Sequence, residues 1–240
     1  MIPEQALLRI AGVEVRIRCD DATFVPVVLG RFNGRHQALA EMLPGPVEAE
    51  VTREGTVVRV RSGGIEGTAD IRRGVVATPS SLTLMDALVR VVVGARLVER
   101  GGLLLHAAAI ERPAGALVAF GRSRAGKSTL AKGFGGRAIS DEFVALAPGR
   151  PWRVHSTPWW RGSGPSAPLG RLVWLVRGEP PSARAVGGAE LCAALWREAG
   201  RFAPGFDARL LEACASLARC GALRVAAPEG GVVEAVRSAA

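Results

Sequence analysis

The sequence predicts an α/β protein, with a small β-rich unit over residues 1–78 and an α/β domain over residues 79–240. Three observations carry this. Period-two alternation, broken by glycine turns, dominates the N-terminal part. From Leu103 onward, short apolar runs of strand length are mixed with helical segments. Between one such run and the helix that follows it lies a glycine-rich loop, Gly121–Ser128.

In the N-terminal part, Val13, Val15 and Ile17 alternate with Glu14, Arg16 and Arg18, the signature of a half-buried strand. Val47, Ala49 and Val51 repeat the pattern, and Val57, Val58 and Val60 follow the turn residues Glu54-Gly55. Gly63-Gly64 is the next turn before a strand at Ile65–Ile71. Gln37–Met42 reads as a short helix stopped by Pro44-Gly45-Pro46. No chemical motif falls in this unit, so recognition or assembly is its expected role. A helix then starts at Ser80 or Ser81 as its cap, repeats Leu84, Leu88, Val91, Ala95 and Val98 on one face, and ends at Gly101-Gly102.

In the second part, LLLHAAAI and GALVAF read as strands joined by the turn Arg112–Gly115. A helix, a strand at Arg137–Ser140 and another at Phe143–Leu146 follow. RLVWLV at 171–176 reads as a buried strand, and Ala189–Gly200 and Ala208–Cys220 as helices; LRVAAP and VVEAV close the chain.

Bulk properties exclude several classes. Hydrophobic residues make up 48% and charged residues 22% of the 240, a globular composition. No stretch approaches the roughly 18 apolar residues needed to cross a bilayer. The N-terminal residues lack a basic segment followed by an apolar one, so a cytoplasmic chain with no membrane partner is expected. None of the four cysteines forms a CxxC pair, which argues against a zinc ribbon and for reduced, structural thiols. The net charge of +9 is spread over arginines that form no dense run, and tyrosine is absent. Nucleic acid is therefore not the expected partner.

The loop Gly121-Arg122-Ser123-Arg124-Ala125-Gly126-Lys127-Ser128 fits GxxxxGK[ST]. Its glycines permit a tight path that aims backbone amides at phosphate oxygens, with Ser123, Arg124 and Ala125 along the cradle. A helix opening near Lys127 adds its positive N-terminal end. Lys127 is expected to reach the β and γ phosphates of ATP, the Ser128 hydroxyl to ligate Mg2+, and Thr129 to sit near the α phosphate. Lys127 is one of only two lysines in an arginine-dominated chain, and arginine could not replace it as a compact point charge. An NKxD-type motif and an LSGGQ-like stretch are both absent, which argues against a GTPase and a transport-type ATPase.

Taken together, LLLHAAAI, GRSRAGKST and AISDEFVAL resemble, in order and spacing, the catalytic domain of the HPr kinase/phosphorylase family. They are most similar to its shorter relatives associated with peptide-modification clusters. The resemblance covers roughly residues 80–240 and is strongest from Leu103 to Leu146. It implies a phosphoenolpyruvate-carboxykinase-like fold, with the P-loop in a mixed rather than a parallel sheet, and phosphoryl transfer from ATP to a serine hydroxyl. It also implies a homo-oligomer, since the longer enzymes are hexameric. Asp141 falls on the family's catalytic aspartate, Glu142 on a second acid of the longer enzymes, and His106 on a histidine just upstream of the loop. Arg161, in Trp160–Gly164, falls on an arginine-glycine stretch. Arg124 departs from the pattern, standing where the family carries a third loop glycine. The segment linked with dephosphorylation has no counterpart, so phosphorylase activity is not implied.

Phosphoryl transfer needs charge neutralisation, alignment and a base. Asp141, at a strand end, is expected to hold Mg2+ or to accept the acceptor's proton, and Glu142 is its neighbour on the opposite face. His106 carries charge toward the γ phosphate or orients Asp141, unless it is simply a core histidine. Arg161 stabilises the transferring group or is an ordinary loop arginine. Trp159 and Trp160 pack or line an acceptor pocket. Two classes stay open: an ATP-dependent kinase acting on a serine-type hydroxyl of a peptide or small protein, and a non-catalytic nucleotide-binding regulatory or assembly module.

Overall fold

The computed structural model describes residues 5–32, 50–62, 64–134, 138–159, 166–177, 181–202, 204–228 and 230–239. The helix expected at Gln37–Met42, Arg161 and the rest of Trp160–Gly164 lie outside the described residues. Among those described, fourteen strands form two mixed sheets, accompanied by six α-helices. The chain divides into two units: Met1–Glu99 with Arg201–Asp207, and Arg100–Gly200 with Ala208–Ala240.

The first unit holds β1 (Gln5–Ile10), β2 (Val13–Cys19), α1 (Val25–Phe32), β3 (Glu50–Glu54), β4 (Val57–Ser62), β5 (Ile65–Asp70), β6 (Val75–Thr78) and α2 (Leu82–Glu99). Its sheet runs β1-β2-β6-β5-β4-β3. Among the described residues of this sheet, β2 and β6 pair in parallel and the other neighbours antiparallel. The alternation in β2 is literal: Val13, Val15 and Ile17 are fully buried while Glu14, Arg16 and Arg18 are exposed. A tight turn through Ala11 (φ 52°) and Gly12 (φ 75°) returns β1 onto β2, with Leu8 opposite Val15.

Ser81 starts α2, its Oγ accepting from the Leu84 amide at 3.4 Å, a cap worth about 1 kcal/mol. Gly101 at φ 76° follows the helix end in the left-handed conformation that glycine adopts without strain. Leu84 and Leu88 of α2 press onto β5 so closely that a Cβ on Gly67 would lie 2.7 Å from Leu88 Cδ1. A Cβ on Gly94 would likewise lie 2.8 Å from the Phe202 ring. The helix and the returning segment 201–207 therefore belong with the first unit. The boundary falls at Glu99/Arg100 rather than at 78/79, because tertiary packing, which sequence periodicity does not report, assigns the helix.

The second unit holds β7 (Leu103–Ile110), β8 (Ala116–Phe120), α3 (Lys127–Phe134), β9 (Ala138–Ser140), β10 (Phe143–Ala147), β11 (Arg153–His155), β12 (Ala167–Arg177), β13 (Ser182–Val186), α4 (Gly188–Glu198), α5 (Asp207–Ala218), β14 (Ala222–Ala227) and α6 (Val232–Ala239). Its sheet runs β11-β10-β7-β8-β12-β14-β13, with β9 also on β7 and β11 also on β12. Pairings among β8, β12 and β14 are parallel and the others antiparallel. All five residues of β8 are buried, as in a strand covered on both faces. Leu117 and Ala119 of β8, Val173 and Leu175 of β12 and Val225 of β14 form a core with Leu130 of α3 and Val232 and Val236 of α6. This packing seats the glycine-rich loop at the carboxyl ends of three parallel strands, the edge where open α/β sheets bind ligands.

Candidate functional site

β8 ends at Phe120, the loop runs from Gly121 to Gly126, and α3 opens at Lys127. Two glycines make that path possible. Gly121 adopts φ 151°, and a Cβ there would sit 2.3 Å from the Leu175 carbonyl oxygen. Gly126 adopts φ 98°, and a Cβ there would sit 2.9 Å from Val232 Cγ1. The loop therefore lies directly on β12 and α6. Gly121→Ala is expected to destabilise the protein by about 2–4 kcal/mol, since the Leu175 backbone must move away from the new methyl and the φ of 151° disfavours a side chain. Urea unfolding checks this; an unchanged midpoint would contradict the close seating.

Arg124, where the resemblance implies a glycine, has φ 64°. A non-glycine residue in that region bears roughly 1–2 kcal/mol of strain. Its side chain is exposed, as are those of Arg122 and Ser123, while Ala125 is buried against the core. The Arg124 carbonyl accepts a long hydrogen bond, 3.5 Å, from Arg177 Nη1 at the end of β12.

Lys127 is only 6% exposed. Its Nζ donates to the carbonyls of Gly121 at 2.7 Å and Arg122 at 3.0 Å. Burial pulls its pKa below the usual lysine value, and the charges of Glu198 and Asp141 act in the opposite sense. Ser128 and Thr129, in the first turn of α3, are exposed.

Asp141 and Glu142 form the turn between β9 and β10. Ser140, the last residue of β9, pairs with Ala109 of β7, and Phe143, the first of β10, pairs with His106. The Ala107 amide donates to the Glu142 carbonyl at 3.2 Å. Ser140 Oγ donates to the Phe143 carbonyl at 2.8 Å, and the Thr157 hydroxyl donates to the same oxygen. Both hydroxyl residues are buried, so the turn is fastened from within. Asp141 is buried at 7% exposure and Glu142 half-buried.

His106 lies at the same edge. Ala107 pairs with Phe120, so His106 stands beside Gly121, where β8 departs into the loop. The half-buried His106 ring packs against Phe143 with centroids 5.7 Å apart, and Phe143 meets Trp159 edge-on at 6.2 Å. Trp159 is buried and packs.

The fold thus brings Gly121, Ser123, Arg124, Ala125, Gly126, Lys127, Ser128, Thr129, His106, Asp141 and Glu142 to one edge of one sheet. It adds two residues that sequence reasoning missed. Arg177 ends β12 and helps line a cavity of about 310 Å3, with Arg124, Ser128, Thr129 and Pro228. That is the small end of the range for ligand pockets, enough for part of a nucleotide. The signal was available: Arg177 follows a buried strand run directly. Glu198, the last residue of α4, carries no comparable signal. A larger cavity, about 730 Å3, lies at the opposite edge, where β12 and β14 begin, and none of the sequence-derived candidates lines it.

The donor set fits a polyphosphate with a hard divalent cation. Backbone amides and a helix N-terminus suit phosphate oxygens, while the Ser128 hydroxyl and the Asp141 carboxylate are the oxygen ligands that Mg2+ selects. Among the described residues, no helix is long and apolar enough to cross a membrane. The chain matches no protein-family model and no curated protein.

Proposed function

We propose that the protein binds ATP with Mg2+ on the Gly121–Ser128 loop, as a P-loop, and transfers the terminal phosphoryl group to a serine-type hydroxyl of a peptide or small protein. One observation carries this reading. Lys127, where the loop enters α3, and Asp141, from the β9–β10 turn, are both buried at the carboxyl end of β8, and the Asp141 charge acts on Lys127. A compact cation and a carboxylate that is a candidate base, beside a run of glycine-rich backbone, are what phosphoryl transfer requires. In this reading Lys127 draws charge from the phosphates and Asp141 accepts the acceptor hydroxyl's proton. The hydroxyl oxygen gains the bond to phosphorus that the bridging oxygen loses. His106 and Glu142 flank the transfer, and Ser128 with Asp141 would hold the cation, whose chemistry when bound is neutralisation of phosphate charge.

The second reading is a nucleotide-binding module without turnover, favoured by the resting position of Lys127. Its Nζ bonds the carbonyls of its own loop. A lysine that kept those bonds would bind nucleotide without aligning the γ phosphate. Mass spectrometry of serine-containing peptides encoded near the gene, incubated with protein, ATP and magnesium, separates the two. A peptide that gains one phosphoryl group supports the kinase; ATP binding with no labelled peptide across the panel supports the module.

A further inference from the structure

Glu198 is the terminal residue of α4, where the negative end of the helix dipole disfavours a carboxylate. An acid there calls for a compensating cation. Two contacts fix it in space. Ala199 forms an antiparallel bridge with Leu105, and the Gly200 amide donates to the Leu104 carbonyl at 2.9 Å. These stitch the end of α4 onto β7 as β8 peels away into the loop. The residue before Ala199 then lies alongside the residue after Leu105, so Glu198 stands next to His106. That is the point where the Gly121 and Arg122 carbonyls hold Lys127. The side chain is half-buried, in a setting where charge is poorly screened by water.

We propose that Glu198 is a further residue of the phosphate site, a positioning carboxylate that serves as the resting counter-charge of Lys127 and opposes the entry of polyphosphate until Lys127 is recruited to it. This rests on the reading of the loop as a triphosphate site. The charges support it: of the two carboxylates that act on Lys127, Glu198 acts more strongly than Asp141. Burial raises the Glu198 carboxyl above its usual range, while Lys127, Arg197 and Arg122 pull the other way. A carboxylate so placed holds the lysine folded against its own loop when the site holds no anion. A phosphate chain entering the cradle meets a like charge, which Glu198→Gln removes without changing shape.

The test has two arms. Urea unfolding of the ligand-free protein, of Glu198→Gln, of Lys127→Met and of the double variant forms a cycle that needs no ligand. Non-additivity of about fivefold or more in the unfolding constant is expected for two groups whose charges act on each other. Inorganic tripolyphosphate is then titrated in the absence of metal. Glu198→Gln should bind it about three- to tenfold more tightly than the unaltered protein. Additive effects in the cycle, or tripolyphosphate affinity equal or weaker in Glu198→Gln, would overturn the proposal. Coupling in the cycle with no polyphosphate or ATP binding by either protein would sink the triphosphate reading, while supporting the pairing of Glu198 with Lys127.

Discussion

Asp141→Asn is expected to lower phosphoryl transfer by about 10²- to 10⁴-fold, the range that general-base catalysis supplies. The substitution keeps the shape of a buried side chain and removes only charge and basicity. The turn that carries it is held by Ser140 and Thr157 on the Phe143 carbonyl and by the Ala107 amide on the Glu142 carbonyl, none of which involves the Asp141 carboxylate. Urea unfolding establishes that the variant is folded before its rate is measured. ATP affinity should fall much less than turnover, because the loop amides and Lys127 remain. Initial rates and a nucleotide titration on the same preparation check both halves. A variant that keeps its full rate would remove Asp141 from the chemistry; one that loses binding as much as rate would make it chiefly a cation ligand.

Lys127→Ala is expected to abolish measurable transfer and to weaken ATP binding by about 10- to 100-fold, the worth of one or two charge-assisted hydrogen bonds to phosphate. Its effect on stability should be small, because two contributions oppose. The Gly121 and Arg122 carbonyls lose a donor, which costs about 1–3 kcal/mol if water cannot replace it. A buried, desolvated ammonium is removed as well, which offsets part of that. Circular dichroism and thermal melting establish that the variant is folded before its binding is measured. A folded variant with undiminished affinity and rate would end the assignment of this loop to phosphate.

Which elements the sequence revealed follows from how each is stabilised. The β2 strand is legible because its alternation is an image of burial, Val13, Val15 and Ile17 in and the charged residues out. Its partner β1 is not, because Leu7 breaks the polar side of the pattern: it is 52% exposed on the solvent face between buried Ala6 and Leu8. Strands β11 and β13 escape for another reason. The first has three residues and the second is mostly exposed, so neither carries an apolar run. The α2 helix is legible from its cap and periodicity, but its membership is not, since Leu84 and Leu88 choose their partner only when Gly67 leaves room.

The candidate site divides the same way. Gly121, Gly126 and Lys127 announce themselves because strand, loop and helix are contiguous. Asp141 and His106 rest on the family resemblance, and the pairings of β7 with β8, β9 and β10 bring them to the loop. Arg177 follows the run RLVWLV directly, but its place beside the loop, like that of Glu198 beside β7, comes from pairing, of β12 beside β8 and of Ala199 beside Leu105. No periodicity in the chain encodes those neighbours.

Amide NMR of isotope-labelled protein during titration with ATP and magnesium measures most directly where the nucleotide sits. Saturable shifts are expected at Gly121–Thr129, Asp141 and Arg177, and in Lys127→Ala they should need about 10- to 100-fold more ATP. No shifts in a folded protein, or shifts confined to the larger cavity around Arg171, Arg219 and Leu223, would contradict a phosphate site on this loop.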